Sequence, residues 1–78
     1  AGRLIMQELV RFIVSELVDN KDAVKVEMDG DVVQITVAKD DMGKMIGRQG
    51  RTAKAIRTIV KAMGEREGRK YTVDILEI

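Results

Sequence analysis

Between residues 24 and 37 the chain reads VKVEMDGDVVQITV, and this alternation constrains the fold more than any other feature. Val24, Val26 and Met28 interleave with Lys25, Glu27 and Asp29, the period of a strand with one buried face. Val33, Ile35 and Val37 then interleave with Gln34 and Thr36. Asp29-Gly30 between the two runs is a two-residue hairpin signal, since both residues tolerate the positive φ of a type I′ turn. An antiparallel hairpin is the expectation, and it needs something apolar to cover its inner face.

The flanking segments supply that cover. From Arg3 to Val18, apolar Ile5, Leu9, Phe12, Ile13 and Leu17 recur near helical spacing, with Met6, Val10 and Val14 widening the stripe. Asp19-Asn20 supplies turn chemistry at its end. After the hairpin, Asp40 and Asp41 stand where they favour the start of a short helix, about Met42 to Ile46. A Gly-Arg-Gln-Gly turn at 47–50 separates it from a longer helix, about Arg51 to Met63. Gly64 and Gly68 are stop signals around a charged turn. Tyr71, Val73 and Ile75 then alternate as a third strand. The order α-β-β-α-α-β predicts one α+β domain: a three-stranded mixed sheet with three helices on one face.

With 78 residues the chain has room for one domain, and 45% hydrophobic content gives it an adequate core. It starts at Ala1, not Met, so residues 1–2 read as a terminal remnant. There is no cysteine, which fits a reducing, cytoplasmic setting. No apolar run has membrane-spanning length, no signal peptide is visible, and no membrane partner is expected. Cysteine and histidine are both absent, and the single serine, Ser15, lies in an apolar helix with no base to activate it. No catalytic residue, metal site or cofactor is therefore expected.

The net charge of +1 conceals a segregation. Residues 42–64 hold Lys44, Arg48, Arg51, Lys54, Arg57 and Lys61 and no acid. That segment expects an anionic partner. On the long helix, Ala53, Ile56, Ile59, Val60 and Met63 fall within about 80° to 200° of arc from Arg51. Lys54, Arg57, Lys61 and Arg51 occupy about 240° to 360°. One face is core and the other is a basic strip leading away from the glycine turn. Glycines at 47 and 50 admit close backbone approach, and the helix start at Arg51 turns unsatisfied N–H groups towards the loop. Phosphate suits such a place better than a plain helix-to-helix turn would require. No Lys-Ser or Lys-Thr pair follows a glycine, so a Walker A loop is excluded, and no G-x-G-x-x-G follows a strand.

The run Met45-Ile46-Gly47-Arg48-Gln49-Gly50-Arg51 resembles the I-G-x-x-G signature of KH domains, and the element order resembles their type II, prokaryotic arrangement. More narrowly, DMGKMIGRQGRTAKAIRTIVKA, residues 41–62, is similar to the small bacterial KH proteins of the KhpA type. The resemblance implies a single-stranded RNA partner and a role as RNA chaperone or post-transcriptional regulator. It implies that Gly47, Arg48, Gln49 and Gly50 clamp the backbone, with Ile46 flooring a base groove and Lys44, Arg51, Lys54 and Arg57 around it. Phe12 and Tyr71 are the only aromatic residues, too few for the stacking platforms of an RRM or OB-fold. Tyr71 belongs to sheet packing or to the edge of that groove, and Gly43 is assigned to helix packing.

Ala55 and Ala62 lie between the apolar and basic arcs, flanked by Thr58 and Ile59, and small side chains there permit close helix pairing. The resemblance links this face to a homodimer or to a KhpB/Jag-type KH-R3H partner. Two other readings stay open: a dimerising adaptor with vestigial RNA binding, and duplex DNA binding by a helix-turn-helix-like element.

Overall fold

The computed structural model describes the backbone of residues 2–78 and the side chains from residue 5 onward. The terminal remnant expected at residues 1–2 lies outside these side chains. Three α-helices, α1 (Gly2–Leu17), α2 (Met42–Ile46) and α3 (Arg51–Arg66), and three strands, β1 (Lys25–Asp29), β2 (Val32–Val37) and β3 (Thr72–Glu77), follow in the order α1-β1-β2-α2-α3-β3. The sheet order is β1-β2-β3, antiparallel between β1 and β2 and parallel between β2 and β3. The order of elements and the mixed sheet are those expected from the sequence.

Central β2 sets the core. Val33, Ile35 and Val37 are fully buried, flanked in register by half-buried Val26 and Met28 of β1 and by Val73 and Ile75 of β3. Met6, Val10 and Val14 from α1, Val18 just past its end, Met45 from α2, and Ile56 and Val60 from α3 close over that one face. Lys25, Glu27, Thr72 and Asp74 on the opposite face are exposed.

Four local expectations are corrected. The hairpin register pairs Asp29 with Val32, so the two loop residues are Gly30 and Asp31. Gly30 has φ +61° and Asp31 is not left-handed, which excludes type I′ and matches the II′ pattern. In α1 the buried stripe is Met6, Val10, Val14 and Val18, while Ile5 (60%), Phe12 (64%) and, less so, Leu9 and Leu17 face solvent. Met6 and the valines of the i, i+4 row pack into the core cluster with the sheet, and the bulkier Ile5, Leu9, Phe12 and Leu17 are turned outward.

Gly64 does not end α3. The helix runs three residues past Met63, and a Cβ on Gly64 would meet Tyr71 Cδ2 at 2.7 Å and the Arg69 carbonyl at 2.8 Å. The stop lies at Gly68, φ +73°, where Arg69 N–H donates to Gly64 O (2.8 Å) and Gly68 N–H to Glu65 O (3.2 Å), a Schellman closure.

Gly43, finally, has no packing role: it is exposed, and an added Cβ would meet nothing within 4 Å. Gly43→Ala is expected to stabilise the domain by about 0.5–1 kcal/mol, since alanine loses less backbone entropy in a helix. A thermal melt of the variant checks this, and a lower Tm would show that Gly43 meets a constraint.

Candidate nucleic-acid interface

The loop between α2 and α3 is held in backbone conformations that explain its glycines. Gly47 has φ 73° and ψ −180°, a region that only glycine occupies readily. A Cβ there would also sit 2.2 Å from Thr52 Oγ1, so the first turn of α3 packs directly on this residue. Gln49 (φ 57°, ψ 27°) and Gly50 (φ 74°, ψ 12°) are consecutive left-handed residues. Gln49 is the only non-glycine residue with positive φ among those described. Holding it there costs about 1–2 kcal/mol, which marks the loop as shaped for something other than stability.

Gly50 is the N-cap of α3 and offers no side chain, so the first N–H groups of the helix lack a side-chain cap. Arg48, Gln49, Arg51, Lys54 and Arg57 around it are exposed. Arg51 Nη2 donates to Gln49 Oε1 at 3.4 Å. Among the described residues Arg48, Arg51, Lys54, Arg57 and Lys61 make no ion pair.

The basic strip borders a groove on β3. Arg57 and Lys61 line a cavity of about 320 Å³ together with Tyr71, Thr72 and Val73. It continues into one of about 440 Å³ lined by Lys61, Glu65, Arg69, Lys70, Tyr71 and Thr72. Tyr71, 5% exposed, belongs to the core cluster as the packing role requires, and it also lines this cavity. Arg69 and Lys70 join the basic strip only in the fold, which brings the α3–β3 connection beside Lys61. Arg69 also pairs with Asp31 at 3.1 Å. Ile46 is exposed at the end of α2 and does not line these cavities.

Lys44 is placed differently from the other cations. Its Nζ donates to Asp19 Oδ2 and lies 3.8 Å from Asp41 Oδ1. Hydrogen bonding to Asp19, ahead of the attraction of both acids, raises its pKa above the usual lysine value. Asp41 is 2% exposed and, contrary to the expected helix cap, makes no side-chain cap bond to α2. Its oxygens instead accept from the N–H groups of Asp19 (3.2 Å) and Asn20 (3.1 Å), just beyond α1. Those backbone bonds, from Asn20 first and then Asp19, hold its carboxyl below 3.8, aided by Lys44 and Lys21. The charged form therefore stabilises the fold fully above 3.8, and that contribution fades as pH falls through the lower folded value. Asp41→Asn is expected to lower Tm at pH 7 by about 5 °C or more. The gap between parent and variant should shrink below pH 3.8 in a series of thermal melts. A gap independent of pH would remove the charge from the explanation.

Of the four residues considered for a partner face, Ala55, Thr58 and Ile59 line a shallow depression with Arg51 and Lys54, and Ala62 is exposed along the same helix. Thr58 Oγ1 is turned back to Lys54 O at 2.9 Å, which satisfies the hydroxyl within the helix.

A sequence profile described as KhpA/KhpB, KH domain, matches residues 7–75. The chain belongs to the KhpA/KhpB KH-domain family. The three helices and mixed sheet are accordingly a type II KH fold. RNA-binding protein KhpA of Caldanaerobacter subterraneus subsp. tengcongensis is 49% identical, with 91% of this chain and all of that protein covered. RNA-binding protein KhpA of Aquifex aeolicus is 42% identical over 92% of this chain and 96% of its own length. That of Clostridium perfringens is 47% identical over 91% of this chain and its full length. Among the described residues no helix is long and apolar enough to cross a membrane, and no cluster of His, Cys, Asp or Glu could hold a metal ion.

Proposed function

We propose that this KH domain binds single-stranded RNA, with the 47–50 loop and the start of α3 holding the phosphate backbone and the α3–β3 groove receiving bases. One observation carries the reading: a helix start without a side-chain cap, fronted by a loop of Gly47, Gln49 and Gly50 at positive φ and ringed by cations that make no ion pair among the described residues. Backbone N–H groups and a helix dipole favour phosphate there, and Arg48, Arg51, Lys54 and Arg57 add full charges. The names of the KhpA relatives point the same way. Bases entering the groove meet aliphatic, Tyr71 and backbone surface, a setting for modest selectivity. A role as RNA chaperone or post-transcriptional regulator suits a site dominated by backbone contacts.

The test compares a labelled single-stranded oligoribonucleotide with duplex DNA across a salt series. A clamp on four nucleotides predicts a slope of about −3 for log K against log salt. Tighter binding of duplex DNA would favour the helix-turn-helix alternative, which the five-residue α2 fits poorly.

A second reading concerns α3. Ala55, Ala62, the methyl of Thr58 and exposed Ile59 present small apolar surface, which suits helix pairing with a second copy or with a KhpB/Jag-type protein. Pairing would join two grooves and raise avidity. Sedimentation equilibrium checks it; a monomer at every concentration, alone and with that partner, would count against it. An adaptor with vestigial RNA binding predicts pairing without any RNA affinity.

A further inference from the structure

The loop depends on α2, and α2 has five residues, too few to hold an orientation by itself. Its last residue precedes Gly47, so any tilt of α2 moves the whole loop. Its start is fixed from outside. Asp41 reaches across 22 and 21 residues of sequence to the N–H groups of Asp19 and Asn20 at the end of α1. A carboxylate that deeply placed is costly unless it is bonded and paired. Lys44, one helical turn on, supplies the pairing: its ammonium lies between Asp41 and Asp19, one acid on each side of the α1–α2 junction.

We propose that Lys44 is a positioning residue for the loop, clasping Asp41 and Asp19 so that α2 is fixed against the end of α1, and that it does not itself meet phosphate. The proposal rests on the RNA-binding reading above. Its charge is already compensated by two carboxylates, whereas Arg48, Lys54, Arg57 and Lys61 make no ion pair among the described residues. The phosphate-binding surface therefore starts at Arg48, and Lys44 governs the angle at which that surface is presented. A direct contact and a clasp predict opposite results for its neighbours: removing an anion beside a phosphate site tightens binding, whereas breaking a clasp weakens it.

The experiment uses the full chain as parent, Lys44→Met, Lys44→Arg and Asp41→Asn. Each is titrated with a labelled single-stranded oligouridylate over a series of salt concentrations. Amide hydrogen exchange at residues 46–51 is measured in the free proteins by mass spectrometry. Lys44→Met and Asp41→Asn should each weaken RNA binding by roughly three- to tenfold without changing the salt slope, and should speed exchange in the loop. Lys44→Arg should restore both. A salt slope flattened by about 0.7 in Lys44→Met, with tighter binding by Asp41→Asn, would make Lys44 a phosphate contact and overturn the proposal. Unchanged exchange in Lys44→Met would overturn it as well. A parent that binds no RNA would sink the functional reading instead, and exchange in the free proteins would still decide the clasp.

Discussion

Replacing Arg48 and Gln49 together by aspartate should abolish RNA binding, by about a hundredfold or more, while Tm moves by no more than a few degrees. Both side chains are exposed, and neither belongs to the core cluster. The change places two anions beside the start of α3, where phosphate is proposed to lie, and removes the cation nearest the loop. Repulsion at a partly desolvated site and the loss of a charged contact each cost about 1–3 kcal/mol, so their sum reaches two decades of affinity. The backbone should tolerate the exchange: Gln49 holds φ 57°, a region that aspartate enters more readily than most residues. The Arg51 bond to Gln49 is lost, but at 3.4 Å on the surface it contributes little. Fluorescence anisotropy with single-stranded RNA, paired with circular-dichroism melts, gives both readings. Retained affinity would take the loop out of the mechanism, and a large fall in Tm would mean that the loop is structural.

Gly64→Ala should destabilise the domain by about 1–3 kcal/mol, the reverse of the gain expected at Gly43. Within an unencumbered helix, glycine to alanine is favourable by about 1 kcal/mol. At Gly64 the new methyl carbon would lie 2.7 Å from the Tyr71 ring and 2.8 Å from the Arg69 carbonyl oxygen. Tyr71 is 5% exposed and belongs to the core cluster, so displacing its ring disturbs that packing. Arg69 is fixed by its own N–H bond to Gly64 O at 2.8 Å. Relief therefore requires α3 to move off the start of β3, where the groove is. A fall in Tm of roughly 5–15 °C is the expected result. A rise would mean that Tyr71 and the turn yield without loss.

Much of this protein could be read from local pattern. Alternation over 24–37 fixed β1 and β2, and the Gly-Arg-Gln-Gly interruption placed the loop between two helices. The basic arc of α3 was legible because 3.6-residue periodicity is an internal property of a helix. The need for glycine at 47 and 50 was likewise visible, although the Thr52 contact that enforces it at 47 was not.

Other features answer to partners distant in sequence. In α1, the rows beginning at Ile5 and at Met6 are both apolar, so periodicity alone could not choose the buried one; the sheet beneath accepts Met6, Val10, Val14 and Val18. Gly64 and Gly68 look alike as stop signals, yet Gly64 is a close approach to Tyr71 and Gly68 carries the left-handed turn. Lys44 reads as one more cation in a basic run until the fold brings Asp19, 25 residues away, within reach. Sequence by itself determined the elements, their order and the basic, glycine-bearing loop, because these follow from interactions a few residues long. Tertiary structure decided which faces are buried, which glycines are indispensable and which cations are ion-paired, because each depends on a neighbour that only chain topology supplies.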